Sequence, residues 1–222
     1  MVAVVGVKVG MTQVFDDDGT VRPVTLVRVE PNVVIGTRGA EGDGYDALVL
    51  GWGTARKRQV TKPYAGQFPE GIDPMRRIME LRGFDGEFEV GKPLDLSIFS
   101  GRRFVDVQGV SLGKGFQGVI KRHGFRGGRA THGSKFHRTG GSTGQSAWPS
   151  RVLKGTRMAG RMGGRRATVQ NLELLRVDQE RRLLVIAGPI PGRRGGHVLV
   201  ASAKKKQGGG NGSGTLPAGS SE

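Results

Sequence analysis

The 222-residue sequence contains no cysteine. Disulfides, cysteine-ligated zinc and thiol catalysis are excluded together. It has no apolar run near the ~20 residues that a membrane-spanning helix needs. The apolar opening, Met1 to Val9, is broken by Lys8 and is followed by no small-residue cleavage site. It reads as a strand and not as a signal peptide. Aromatic residues are scarce, at 6%, and the hydrophobic fraction of 36% is below that of an ordinary globular domain, so part of the chain is not packed core. Glycine and positive charge are abundant instead: 40 glycines, and 35 Lys and Arg against 19 Asp and Glu, a net of +16. That balance implies a polyanionic partner, nucleic acid first and an anionic membrane surface second.

Acid is missing altogether from one long stretch. Between Asp106 and Glu173 lie 66 residues with 13 Lys and Arg and no carboxylate, so +13 of the +16 sits there. The other 156 residues hold 22 basic and 19 acidic side chains, a net of +3. The same stretch holds His123, His132 and His137 of the four histidines, and 15 glycines. It has too few apolar residues to offset chain entropy, and its charges repel. Two readings remain: a disordered insert, or a loop ordered by contact with a polyanion. The glycines favour the second, because they let backbone approach phosphate closely. Phe116, Phe125, Phe136 and Trp148 favour it too, since aromatic rings can stack on bases.

Outside this stretch the sequence reads as mainly β. Val2–Val9, Gln13–Phe15 and Val21–Val29 read as strands, the last two joined through the Asp16-Asp17-Asp18-Gly19 turn. Asn32–Thr37, Ala47–Gly51, Phe88–Val90, Leu94–Phe99 and Phe104–Val110 read likewise. Thr168–Val177 and Arg182–Ala187 flank an Asp178-Gln179-Glu180 turn, and Val198–Ala201 is a last strand. Many short strands with Gly and Asp turns indicate a closed barrel or a sandwich. Residues 54–87 carry three prolines and the basic run Arg56-Lys57-Arg58. They read as a small insertion, with Met75–Arg82 a short helix presenting Ile78, Met79 and Leu81. The expected organisation is a β body of 1–110 plus 168–203, a basic arm of 111–167, and a flexible basic and Gly-Ser tail of 204–222.

The arm carries no recognisable reactive constellation. Lys114-Gly115-Phe116-Gln117-Gly118 lacks the four-residue glycine spacing and the Gly-Lys-Ser/Thr ending of a nucleotide-hydrolase phosphate loop. Recognition of an RNA backbone accounts for it better. His132 and His137 have no cysteine or carboxylate near them, so no metal is expected. Stacking on a base or contact with phosphate suits the histidines, and an idle surface role stays open for each singly. The acids elsewhere sit in turns, which accounts for them. No active site, cofactor or small-molecule substrate is expected. The candidate RNA-binding set is Lys114, Lys121, Arg122, His123, Phe125, Arg126, Arg129, His132, Lys135, His137, Arg138, Arg151, Lys154, Arg157, Arg161, Arg165 and Arg166. Gln145, Ser146, Ala147, Trp148 and Pro149 form an uncharged tip between Arg138 and Arg151. Trp148 reads either as a wedge or stacking platform, or as packing against Pro149 or Val152.

Several stretches resemble the large-subunit ribosomal protein three family, in its bacterial form. Gly6-Val7-Lys8-Val9-Gly10-Met11-Thr12 resembles the family's opening. Phe104-Val105-Asp106 with Gly109, Ser111, Gly113-Lys114-Gly115, Gly118 and Arg122 resembles its signature. Ala130-Thr131-His132-Gly133-Ser134, His137-Arg138, Lys154-Gly155, Met158 to Gly163 and Val169-Gln170-Asn171-Leu172 continue the likeness, which spans about residues 1–203. The resemblance implies a six-stranded barrel of the translation-protein type, and a basic arm running into ribosomal RNA toward the peptidyl transferase centre. It implies a structural role in the large subunit of the cytoplasmic ribosome, with an organellar ribosome also open. It implies help with assembly, neighbours that include large-subunit proteins fourteen and nineteen, and no membrane. Many bacterial members carry a methylated glutamine at the tip; in register with Pro149 that position is Ala147 here, so this modification is not expected. The competing reading is a non-ribosomal RNA- or DNA-binding architectural protein or chaperone.

Overall fold

The structure is a computed structural model that describes residues 2–84, 86 and 88–206, apart from the side chain of Lys57. In chain order the strands are β1 (Ala3–Phe15), β2 (Val21–Val29), β3 (Asn32–Arg38), β4 (Ala47–Thr54), β5 (Met75–Arg82), β6 (Pro93–Leu94) and β7 (Phe104–Val110). They continue as β8 (Gly115–Gln117), β9 (Gly160–Met162), β10 (Arg166–Asp178), β11 (Leu183–Ala187) and β12 (His197–Ser202). Three short helices, α1 (Ala40–Asp43), α2 (Lys62–Ala65) and α3 (Val119–His123), lie between them. The described residues divide into two compact units: those up to Gly109 together with those from Ala167 to Lys206, and Val110–Arg166.

In the first unit six strands close into a barrel in the order β1, β12, β7, β10, β11, β2. Period-2 alternation of valine and leucine builds it, because successive strand side chains point to opposite faces. Val105 and Val107, Leu184 and Ile186, and Val198 and Val200 all point into one core with Val4, Val27 and Leu174. Each such side chain removed from water contributes about 1.5–3 kcal/mol. Gly6 sits where β1 crosses β2 closely: a Cβ there would lie 2.5 Å from Val27 Cγ1 and 2.9 Å from the Arg28 carbonyl oxygen. Lys8, which breaks the apolar opening, donates from Nζ to the carbonyls of Ile190 (2.9 Å) and Gly192 (3.3 Å) and so holds the loop before β12.

A second sheet, ordered β5, β4, β3, β6, belongs to the same unit. Its core of Val34, Leu48, Leu50 and Leu81 is shared with Ala3 of β1 and Ala201 of β12, residues on the barrel's outward faces. Buried Asn32 joins the two sheets. Its Oδ1 accepts from the Val5 N–H at 2.8 Å, and its Nδ2 donates to the carbonyls of Val5 (2.9 Å) and Glu30 (2.6 Å).

The structure differs from the sequence reading in five places. Met75–Arg82 is a strand and not a helix: Met79 and Leu81 pair with Leu50 and Leu48, so their period-2 relation decides the conformation. The edge of β4 needs a hydrogen-bonding partner, and this overrides local propensity. The expected insertion of 54–87 is part of a larger substructure, because β3 and β4, read as strands of the body's barrel or sandwich, pair with β5 and β6. Leu96–Phe99 is a 3-10 turn that places Leu96 and Phe99 in the barrel core; Asp95 caps it, accepting from the Leu96 N–H at 2.7 Å. Phe88–Val90 forms no strand, and the two expected opening strands are one, β1, with a bulge between Lys8 and Gly10. Of the tail expected at 204–222, residues 207–222 lie outside the described residues.

Candidate nucleic-acid interface

The second unit, Val110–Arg166, contains all thirteen cations of the acid-free stretch. With no carboxylate among its residues, it cannot form a single internal ion pair. Among the described residues, ion pairs between side chains instead belong to the first unit, such as Arg22 and Arg103 with Glu173, each at 3.2 Å. Twelve of the thirteen arm cations are exposed; Arg122 is half-buried. Close-set like charges on one small unit raise its energy until a polyanion neutralises them.

Hydrogen bonds order this unit from its base outward. Ser111 N–H donates to the Arg165 carbonyl at 2.9 Å and Gly164 N–H to the Ser111 carbonyl at 3.1 Å. Beyond them β8 pairs antiparallel with β9, in the register Gly115 with Met162, Phe116 with Arg161 and Gln117 with Gly160. Gly163 takes a left-handed φ of 71° at the closing point, where a Cβ would fall 1.9 Å from the Leu112 carbonyl oxygen. Only glycine fits both the conformation and the space. Next comes α3, ended by Gly124, with Val119 as its buried side chain.

Several expected contact residues already have partners inside the unit. Arg122 donates from Nη1 to the Met158 carbonyl at 2.6 Å, and His123 donates from Nε2 to the same oxygen at 3.0 Å. The His123 ring lies 6.1 Å from that of Phe125. His137 donates from Nδ1 to the Arg129 carbonyl at 2.8 Å, while Gly128 N–H donates back to the His137 carbonyl at 3.0 Å. Arg122, His123 and Phe125 are half-buried and shape the unit from within, a role that composition alone could not separate from RNA contact, whereas His137 stays exposed beside its bond to Arg129. His132 is exposed, as are Lys114, Lys121, Arg126, Arg129, Lys135, Arg138, Arg151, Lys154, Arg157, Arg161, Arg165 and Arg166. At the tip, Gln145, Ser146 and Ala147 are exposed, Pro149 is half-buried and Trp148 is 84% exposed. Phe116, 77% exposed, shows in the sequence only as a ring able to stack. Its place opposite Arg161 on the ribbon is a matter of strand register and emerges only in the fold.

One further cluster lies in the first unit. Trp52 donates from Nε1 to His197 Nδ1 at 3.3 Å, beside Arg76, Arg77 and Glu30. Burial, and then the Arg77 charge, push the His197 imidazole below its ordinary range, although Glu30 works the other way.

Comparison with known proteins agrees with this anatomy. A family model described as Ribosomal protein L3 matches residues 86–185. Large ribosomal subunit protein uL3 of Treponema pallidum (strain Nichols) is 50% identical over 207 residues, covering 93% of this chain and 100% of that protein. The proteins of the same name from Borrelia hermsii and Borreliella burgdorferi (strain ZS7) are 47% and 46% identical, each covering 92% of this chain and 99% and 100% of the relative. A nearly neutral β body joined to an acid-free unit of thirteen cations defines an architectural, nucleic-acid-binding protein. The chain belongs to the family of large ribosomal subunit protein uL3.

Proposed function

We propose that the chain is a structural constituent of the large ribosomal subunit and binds its RNA through the Val110–Arg166 unit. The observation that carries this reading is the charge division: thirteen cations without one carboxylate in the arm, against a net of +3 elsewhere. Such a unit is satisfied only by counter-charge from outside, and RNA phosphates supply it densely. The chain is structural and not enzymatic, as its family is, and works in the cytoplasmic ribosome. In this reading the closed barrel is of the translation-protein type. The exposed cations track phosphates, and the Gln145–Pro149 tip reaches toward the peptidyl transferase centre and braces RNA there. The neighbours are large-subunit proteins fourteen and nineteen, and the arm assists assembly.

Sedimentation tests the reading. A tagged copy expressed in a bacterium should travel with large subunits through a high-salt sucrose gradient, and hydroxyl-radical footprinting should place its protections on large-subunit RNA. Release from the particles at moderate salt would instead fit a chaperone or architectural factor that visits RNA transiently.

A further inference from the structure

The β8–β9 ribbon has two unlike faces. Gly160 faces α3, where the Arg122 guanidinium lies close enough that a Cβ on Gly160 would sit 2.6 Å from Nη1. Gln117 and Met162, on the same side by strand alternation, are half-buried. The other face presents Phe116 and Arg161, a direct cross-strand pair. Such pairs hold their Cβ atoms about 4.5–5.5 Å apart. Phe116 is 77% exposed, and among the described residues no ring or cation lies against it. A lone exposed phenylalanine is ordinary on a protein surface, so the charges beside it decide what could cover it. The neighbouring exposed charges, Lys114 and Arg161, are both positive, and no acid occurs in the unit. That excludes a basic protein surface as the cover and favours an anionic one with a flat apolar part.

A nucleotide has that combination, and only an unpaired base offers its face to a ring. We propose that the open face of the β8–β9 ribbon is a binding site for an unpaired RNA nucleotide: Phe116 stacks on its base and Arg161 holds its phosphate. The site rests on the arm being the RNA-binding element, and adds to it a preference for a bulged or looped nucleotide over duplex.

The full chain is titrated with two probes, a 12-nucleotide oligouridine and a 12-base-pair RNA duplex. Phe116→Leu should weaken oligouridine binding by about 10-fold, the scale of one lost stacking contact, and leave duplex binding within about two-fold. Phe116→Tyr should keep the wild-type affinity. Arg161→Gln should lower the log–log salt slope by about one for either probe. Ultraviolet cross-linking of the wild-type complex to oligouridine should place a cross-link on the Phe116 peptide. The proposal is overturned if Phe116→Leu weakens both probes equally or neither, or if the cross-link maps elsewhere; an unaffected variant would leave the face to a protein partner. Failure of the wild-type chain to bind either probe would overturn the RNA-binding reading of the arm itself, a separate result.

Discussion

Asn32 shows how one side chain can stand in for a piece of sheet. The amide bonds both the N–H and the carbonyl of Val5, as a neighbouring strand would, and also takes up the Glu30 carbonyl. All of this happens in a buried site, where an unpaired polar group costs about 1–3 kcal/mol. Asn32→Ala should therefore destabilise the chain by roughly 2–4 kcal/mol in urea unfolding, the sum being reduced by relaxation. Asn32→Asp should be at least as harmful, because a carboxylate cannot donate to the two carbonyls. Wild-type stability in either variant would mean the sheets are joined by apolar packing alone. His197 sets a pH dependence of its own. Its folded pKa lies below the ordinary value of 6.5, mainly through burial. Below that pH the unfolded chain takes up a proton that the folded chain resists, so stability is full above about 6.5 and declines as pH falls toward the folded pKa. His197→Gln should lose less of its thermal midpoint than wild type between pH 7.5 and 5.5. Parallel curves would assign the acid sensitivity to other groups.

At the scale of elements, alternation was readable where both faces of a strand were committed. Val21–Val29, Phe104–Val110 and Thr168–Val177 stand within two residues of β2, β7 and β10. Met75–Arg82 was not readable, because Ile78, Met79 and Leu81 satisfy a helical stripe as well as a strand, and only pairing with β4 decides between them. Membership of the second sheet was equally hidden, since register depends on partners distant in sequence. In the arm, charge was legible from composition, but not that Arg122 and His123 spend hydrogen bonds on Met158. Gly163 is the element-scale weak point: its left-handed φ and the Leu112 carbonyl leave no room for a methyl group. Gly163→Ala should open the closure between Ser111 and Gly164, seen as faster tryptic cleavage at Lys114 and Arg161, with the unfolding midpoint of the barrel unchanged. Gly118→Ala, at an ordinary φ with open space around it, is the control. The tip calls for a different measurement. Trp148 is 84% exposed, which argues against local packing as its main role. Its stacking is worth about 1–3 kcal/mol, small beside many phosphate contacts. Trp148→Ala should leave subunit occupancy normal by mass spectrometry while altering peptide-bond formation on the same particles. Failure to incorporate would make it an assembly residue.

For the whole molecule, the division of charge becomes a division of labour. The first unit has its own barrel core and a balanced surface; the second has one buried apolar side chain, Val119, and thirteen cations. Their stabilities should respond to different conditions, the body to temperature and denaturant, the arm to ionic strength and RNA. Replacing residues 112–163 by a short Gly-Ser linker keeps Ser111, Gly164 and Arg165, whose backbone bonds close the base. Loop-closure entropy changes slowly with length, so the body should keep its cooperative unfolding. The same variant separates the two contributions to RNA binding. In the full chain, thirteen cations, one of them turned inward, should neutralise on the order of 5–10 phosphates. Each contributes roughly 0.7–0.9 to the slope of log affinity against log salt, giving a magnitude of about 4–9. The linker variant retains only the +3 of the body and the two cations at the arm's base, and its slope should fall below about 2. Titrating both proteins into a large-subunit RNA fragment between 50 and 300 mM KCl measures the difference directly. Equal slopes would place the phosphate contacts on the body and leave the arm's thirteen cations without the counter-charge argued for them.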